Sequence, residues 1–409
     1  MKTDNFKSDS KFLFLGGMFF SEQEKEVFSN SKSLPQTAAN KFQWNLIKGL
    51  EQNLKSPLKL ISAMFLGAFP LKYKKAVIKN QEFNHTDIAD HKDYSLGFLN
   101  VPIVKHIFRR NAIKRCVVKN VDLQSTEVAF GYSMSTPIVD NLLYIKKRNK
   151  KVKTCLIVPD LPEFMNFSSK KRSINGFLSR INTKRLYKRI KDIDYFVVIT
   201  KYLPEKLGVD ANRCVVIEGI ADFDYADSAP KEKPNVKNIV YTGSISPKYG
   251  IATLVDSFSA LKDENLRLVL AGSGETECVE NAQKTDNRIE FLGTVPNAAA
   301  RELQRNAYLL VNPRNSDDEF TKYSFPSKTM EYMSSGTPVV TMPLKGIPEE
   351  YYEHLIIVEN SLEETFKSAL SLDAEELALK GKNAMEFVKR EKNAFAETKK
   401  IIELLGYEI

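Results

Sequence analysis

Lys328 and Glu331 stand three residues apart in the stretch Glu319–Val340, EFTKYSFPSKTMEYMSSGTPVV. The stretch reads as a short helix entered from a loop. Ser324 or Ser327 can cap it, Pro326 is tolerated in a first turn, and Gly336 supplies a left-handed stop. Thr337–Thr341 then reads as a buried strand. A helix dipole disfavours a cation in the first turn, so Lys328 makes most sense beside an anion. Free N–H groups at a helix N-terminus bind phosphate. Glu331 falls on the same face, one turn deeper. Donors for a diphosphate and an acceptor for ribose hydroxyls are what a nucleotide needs. An ordinary surface pair between Lys328 and Glu331 satisfies the same spacing.

Other candidates fall at the ends of predicted strands. In the second half these are Gly243, Lys248, Gly272, Gly274 and Arg314. In the first half they are Gly16 and Gly17, after the strand Lys11–Leu15, and Asp160, after the strand Thr154–Val158. Glycine lets backbone approach a ligand closely, and open α/β sheets place ligands at the carboxyl ends of their strands. The plain alternatives are turn-forming glycines and a structural pairing of Arg314 with Asp317, Asp318 or Glu319. The run Asp317-Asp318-Glu319 reads as a solvated acidic turn rather than a metal site. Cys116, Cys155, Cys214 and Cys278 share no metal spacing and read as reduced thiols. His85, His91, His106 and His354 form no metal motif.

The elements that would position these residues alternate along the chain. Strands are expected at Leu58–Leu66, Gly97–Val101, Glu127–Tyr132, Tyr195–Ile199 and Val215–Gly219. Helices are expected at Thr37–Gln52, Val104–Val118 and Pro137–Ile145. The Val104–Val118 helix would turn Lys105, Arg109, Arg110, Lys114 and Arg115 outward. Ala221–Val236, rich in Asp, Pro and Lys, reads as a linker. Beyond it come strands at Asn238–Thr242, Arg267–Ala271, Ile289–Leu292 and Tyr308–Val311, with helices between. Such alternation predicts doubly wound parallel sheets. A chain of 409 residues with a 43% hydrophobic fraction is long and apolar enough for two cores. Two α/β halves joined by a linker would make a cleft that both sets of glycine turns face.

The net charge of +9 is unevenly spread. Basic residues crowd Lys105–Lys119, Lys146–Lys153 and Lys170–Lys191. Ile174, Phe177, Leu178, Ile181, Leu186, Ile190 and Ile193 keep helical spacing opposite the last of these runs. A basic amphipathic helix can lie on an anionic membrane, or be a domain helix with a solvated face. The aromatic residues do not interleave with the basic runs, which argues against nucleic acid as partner. No secretory signal or membrane-spanning run is legible.

Taken as an ordered set, these residues resemble a known family. The set is Tyr241-Thr242-Gly243, Lys248, Gly250, Leu270-Ala271-Gly272-Ser273-Gly274, Phe291-Leu292-Gly293, Asn312-Pro313-Arg314, Ser324-Phe325-Pro326-Ser327-Lys328, Glu331 and Gly336-Thr337-Pro338-Val339-Val340. It is similar to the nucleotide-sugar domain of family 4 GT-B glycosyltransferases over roughly residues 237–345. Gly16-Gly17 and Asp160-Leu161-Pro162-Glu163 extend the resemblance, more loosely, to the first half. The resemblance implies a GT-B fold of two Rossmann-like doubly wound domains facing a cleft. It implies an acceptor-binding domain at 1–222, a nucleotide-sugar-binding domain at 223–383, and a helical segment at 384–409 crossing back. Two positions depart from the family pattern. Tyr323 stands where a first glutamate is common, and Ser244 where an arginine is.

The implied reaction is retaining, metal-free transfer of a hexose from a nucleotide-sugar, with UDP as the expected carrier and no cofactor. The acceptor would be a glycan or lipid-linked sugar in polysaccharide or glycolipid synthesis. The place would be the cytoplasm, peripheral on the inner membrane face. Gly16, Gly17, Gly243, Lys248, Gly272, Gly274, Arg314, Lys328 and Glu331 would bind the donor, with backbone N–H groups of Ser324 and Phe325. Glu319, replacing the missing first glutamate, and Asp160 are the catalytic candidates. Alternatives are a sugar-nucleotide epimerase or hydrolase of the same fold, or a non-catalytic protein that binds anionic surfaces.

Overall fold

The computed structural model describes residues 11–33, 35–163, 174–221, 223, 236–314 and 319–408. The chain divides into two units: Met1–Ile220 with Ala394–Ile409, and Ala221–Asn393. Of the expected linker, only Ala221, Phe223 and Val236 are described. Asp317, Asp318, Lys170, Lys171 and Arg172 lie outside the described residues, as do the side chains of Ile174, Phe177 and Leu178.

The first unit contains the strands β1 (Phe12–Gly16), β2 (Lys59–Ser62), β3 (Gln81–Phe83), β4 (Asp93–Ser95), β5 (Val128–Tyr132), β6 (Lys153–Val158), β7 (Tyr195–Val198) and β8 (Cys214–Val216). They form one sheet in the order β3-β4-β2-β1-β5-β6-β7-β8. Among the described pairings between these strands, only β3 with β4 is antiparallel. All five residues of β1, FLFLG, are buried. That suits a parallel strand covered on both faces, where polar alternation disappears. The expected strand at Gly97–Val101 is not formed. The chain pairs earlier, at β4, and Leu99 makes only an isolated bridge to Val77.

A chain-distant helix completes this unit. Ala394–Leu404 packs on the helix Thr37–Leu54. Asn53 Nδ2 donates to Phe395 O and to Thr398 Oγ1, each at 2.9 Å. Gly49 permits the approach, since a Cβ there would stand 2.1 Å from Ala394 O. Ile401, Ile402 and Leu405 join Phe12, Phe14 and Leu46 in the core. The return to the first unit therefore starts at Ala394. The expected start at Ala384 falls inside the helix Ala374–Glu391, which stays with the second unit.

Two expectations about surface charge are corrected here. Arg109, in the helix Lys105–Asn120, is buried rather than outward. Ile181, assigned to an apolar helix face, is 51% exposed, whereas Leu186, Ile190 and Ile193 are buried.

His85 and His91 meet in space through Asp93. His85 Nδ1 lies 2.6 Å from Asp93 Oδ2 and Nε2 lies 2.8 Å from Glu51 Oε1. His91 Nε2 lies 3.1 Å from Asp93 Oδ1, which also accepts the Leu60 amide at 2.9 Å. Burial opposes charge on His85, but its hydrogen bonds to the two carboxylates outweigh burial and raise it to about 9. Burial would raise Asp93, yet the hydrogen bonds from both histidines hold it at about 2. A raised His stabilises the fold fully below its unfolded value of about 6.5 and loses that contribution as pH rises through 9. The lowered Asp93 contributes above its ordinary value and loses that contribution as pH falls through 2. His85→Ala should therefore cost on the order of 2–3 kcal/mol at pH 6, and progressively less toward pH 9. Chemical denaturation across that range checks this, and a cost independent of pH would refute the clamp.

The second unit contains β9 (Lys237–Ile245), β10 (Leu266–Gly274), β11 (Ile289–Phe291), β12 (Leu309–Asn312), β13 (Val339–Thr341) and β14 (Ile356–Ile357). The order is β11-β10-β9-β12-β13-β14, and all described pairings are parallel. The strand order reverses between β9 and β12. That switch point is where open α/β sheets leave a crevice at the carboxyl edge.

Candidate functional site

The carboxyl end of β9 carries Gly243, and the structure explains why glycine stands there. Pairing of β9 with β10 continues past the apolar run, through Gly243↔Gly272 to Ile245↔Gly274. A Cβ on Gly272 would stand 1.7 Å from the Gly243 carbonyl oxygen. The expected loops at Gly243 and Gly272 are thus a paired extension of two strands. The Gly272 amide donates to Gly293 O at 2.7 Å, so it is engaged within the sheet. Gly272 and Gly274 serve strand approach.

On its other side β9 leaves β12 after Val240↔Leu310. Tyr332 takes over the backbone of Thr242 that β12 leaves unpaired. Its buried hydroxyl accepts the Thr242 amide at 2.9 Å and donates to the Thr242 carbonyl at 3.0 Å. Tyr332 belongs to the helix Ser327–Met333, so this contact fixes that helix against the end of β9. The N-cap of this helix is Pro326, with no side-chain cap. Ser327 is its first residue, and the Ser324 hydroxyl accepts from Arg314 Nη2 at 3.2 Å. Neither serine caps the helix as expected.

Lys328 lies across Gly243, where a Cβ would stand 3.3 Å from Lys328 Cε. Its Nζ is 3.3 Å from Glu331 Oε2, so the surface pair exists. The pair is not isolated. Glu331 Oε1 accepts from Gln304 Nε2 at 2.7 Å, and the same nitrogen donates to Thr242 Oγ1 at 2.8 Å. Gln304 is buried, on the helix Asn297–Asn306. One carboxylate oxygen is thereby fixed and the ammonium is held over the strand end. Gln304 and Tyr332 were not singled out from sequence. The available signal was a glutamine within the last turn of an expected helix.

A second group forms around Phe320, also missed from sequence. The Arg314 guanidinium lies 4.5 Å from the Phe320 ring centre and Lys248 Nζ lies 4.6 Å from it. Arg314 follows β12 and Lys248 follows β9, so the two cations flank the switch point. Gly250 makes this possible. Its φ is 73° and a Cβ would stand 1.9 Å from Pro313 O. Glu319 opens the 3-10 turn Glu319–Tyr323 and is exposed. The Phe325 side chain is core, packed 5.4 Å from the Tyr351 ring.

In the first unit, Gly16 and Gly17 serve packing. The Gly17 amide donates to Gln43 Oε1 at 2.9 Å. A Cβ on Gly17 would stand 2.2 Å from the Phe65 ring, which covers it. Asp160 sits just beyond β6, exposed as a residue, yet desolvation raises its carboxyl to about 6. It holds a proton more readily than an ordinary aspartate.

Among the described residues, His85, His91 and Asp93 are close enough to share a metal ion, their ligand atoms within 4.8 Å. The histidines, which form no metal motif in sequence, do bring two of their number together here in space. Both His85 ring nitrogens already face carboxylates, so the group reads as an ion-pair clamp.

Residues 236–372 match the family model for glycosyl transferases group 1. A comparison with curated proteins gives no match. Solved structures match over nearly the whole chain. Sucrose-phosphate synthase from Thermosynechococcus elongatus is 14% identical, with 96% of this chain and 97% of that chain covered and a TM-score of 0.59. Anabaena HepE in complex with UDP and glucose is 14% identical, with 97% and 99% covered and a TM-score of 0.59. The α,α-trehalose 6-phosphate synthase from Burkholderia multivorans is 8% identical, with 97% and 96% covered and a TM-score of 0.63. With its two parallel-sheet α/β units and these neighbours, the chain has the GT-B fold, and its second unit carries the segment that matches glycosyl transferases group 1.

Proposed function

We propose that this protein is a glycosyltransferase that moves a hexose from a nucleotide-sugar to a glycan or lipid-linked acceptor, with retention and without a metal. The observation that carries the reading is the Lys328–Glu331–Gln304 group fixed against Gly243, inside the segment that matches glycosyl transferases group 1. Glu331 is assigned to the ribose hydroxyls. Lys328, Arg314 and Lys248 are assigned to the diphosphate. Cations placed where leaving-group charge develops lower the barrier without a general base. A donor phosphate oxygen then takes the acceptor proton. Asp160 is assigned to the acceptor hydroxyl and Glu319 to the donor sugar. The HepE structure holds UDP and glucose, which supports a UDP-sugar here.

Titration calorimetry with UDP, GDP and ADP, without added metal and then with the matching sugar nucleotides, tests the reading. One nucleotide should bind at micromolar Kd. Glu331→Ala should weaken it roughly 10–100-fold, the worth of a charge-assisted hydrogen bond. If no nucleotide binds, the transferase reading falls. Product analysis without acceptor separates transfer from epimerisation or hydrolysis.

A cytoplasmic, peripheral membrane location is proposed on charge. Arg110, Arg185 and Arg189 converge on the single carboxylate of Asp140 at 3.4, 3.3 and 3.1 Å, which leaves a positive excess. No helix among the described residues is long and apolar enough to cross a membrane. Flotation with vesicles containing anionic lipid at low salt should recover the protein, and recovery equal to that with neutral vesicles would count against this location.

A further inference from the structure

Arg109 is buried to 5% exposure without an acidic partner among the described residues. Its Nη2 donates to the Ala63 carbonyl. Its guanidinium carbon lies 4.8 Å from the Phe65 ring centre and 5.7 Å from that of Phe98. Its Nε is buried and has no hydrogen-bond partner. One backbone carbonyl is a poor return for five donors and a full charge. A buried charge left uncompensated is costly, and proteins normally pair it.

A second cation approaches the same place. Lys105, one turn earlier on the same helix, donates to the Leu66 carbonyl at 3.2 Å. Burial, then Arg109 and Lys72, lowers it to about 8. Burial, then Arg109 and Lys105, lowers His106 to about 4, so it brings no compensating interaction. Cations of like sign gather here, and among the described residues no carboxylate pairs with them.

The position of the group matters. Ala63, Phe65 and Leu66 directly follow β2, at the carboxyl edge of the first sheet. The Phe65 ring covers Gly17, at the end of β1, and lies 6.1 Å from the ring of Tyr132, at the end of β5. Ser133, the next residue, takes a φ of 88°, rare outside glycine. Ser135 Oγ, two residues on, is buried without a partner. This is the edge of the first sheet that carries Asp160, and it is the edge where such sheets bind ligands.

We propose that Arg109 and Lys105 bind an anionic group of the acceptor, a phosphate monoester or diester, at the carboxyl edge of the first sheet. The proposal rests on the reading of the second unit as the donor site. A guanidinium pre-packed between two rings offers its free N–H groups in a fixed plane, which suits phosphate oxygens. The stability sacrificed by the buried charge is recovered when the anion arrives. The same phosphate chemistry can come from a free sugar phosphate or from a lipid headgroup.

The test uses the full chain. Glucose 6-phosphate and inorganic phosphate are titrated by calorimetry, and vesicles of phosphatidylcholine with and without phosphatidic acid are sedimented with the protein. UDP is titrated into the same preparations. Wild type should bind at least one phosphate probe saturably. Arg109→Met should weaken that binding at least tenfold, leave UDP binding unchanged, and melt at a higher temperature than wild type. Lys105→Gln, on a less buried side chain, should weaken phosphate binding several-fold and keeps the test alive if Arg109→Met does not fold. Binding of the soluble probes assigns a sugar phosphate, and binding only to phosphatidic acid vesicles assigns a lipid headgroup. Arg109→Met melting lower with phosphate affinity unchanged would make Arg109 a packing residue and overturn the proposal. UDP binding with no phosphate probe bound overturns this proposal alone. Phosphate bound and lost with Arg109, but no UDP bound, overturns the donor reading and leaves an anion site.

Discussion

Lys328→Ala is expected to lower kcat/KM for transfer by about 10²–10³-fold, the usual cost of removing one donor aimed at developing charge. The fold should barely notice. The ion pair with Glu331 spans 3.3 Å between side chains 37% and 41% exposed. Exposed pairs of this kind contribute roughly 0–1 kcal/mol. The melting temperature should therefore shift by only a few degrees at most. The split between kcat and KM reads the role directly. A lysine that stabilises the departing diphosphate lowers kcat, whereas one that only anchors the ground state raises KM. Glu331→Ala gives the contrast, since its assigned partner is the ribose and its loss should appear mainly in KM. Equal, mild effects of both changes on kcat/KM, below about tenfold, would return Lys328 and Glu331 to a surface pair.

Gly272→Ala is expected to be the most damaging small substitution in the second unit. The added carbon would lie 1.7 Å from the Gly243 carbonyl oxygen, with φ at 157°. The atom it meets is backbone and a Cβ is fixed by its own backbone, so no side-chain rotation relieves the clash. The ends of β9 and β10 must separate, and the pairs Gly243↔Gly272, Ser273↔Ser244 and Gly274↔Ile245 go with them. Backbone strain and overpacking together cost about 3 kcal/mol or more. For a unit of this size that lowers Tm by roughly 10 °C. Gly293→Ala is the control. Gly293 has a φ of 65° and nothing within 4 Å of an added Cβ, so only conformational cost applies. That cost is about 1 kcal/mol. Calorimetric melting of the two variants decides, and similar losses would show that strand approach is not what Gly272 provides.

Much of the architecture was legible because buried parallel strands are short apolar runs closed by glycine. The ends of those runs were misjudged for a physical reason. Gly243-Ser244 and Gly272-Ser273 look like loop by composition, yet each is the other's pairing partner, and a strand's propensity depends on what lies beside it. Lys328 and Glu331 were readable because their spacing on one helix is local. Gln304 and Tyr332, which hold them in place, act through polar atoms on residues that otherwise count as helix faces. Tyr332 meets Thr242 across ninety positions of sequence, and no local pattern encodes that. Arg109 was assigned outward because helical periodicity treats every arginine alike. Its burial depends on Phe65 and Phe98, supplied by separate segments. The clamp of His85, His91 and Asp93 was invisible because its residues follow no period.

The helix Ala394–Leu404 has a consequence for the order in which this molecule is made. The second unit is one uninterrupted piece of chain, Ala221–Asn393. The first is two pieces, and its core waits for Ile401, Ile402 and Leu405. On a ribosome, translation delivers those side chains after the whole second unit. The unit encoded first is thus completed last, and until then the nascent chain carries an open apolar patch beside the helix Thr37–Leu54. Folding of the first unit is in this way timed by the emergence of a segment it does not adjoin in sequence, and premature termination before Ala394 would release a chain whose second unit is intact and whose first invites chaperones.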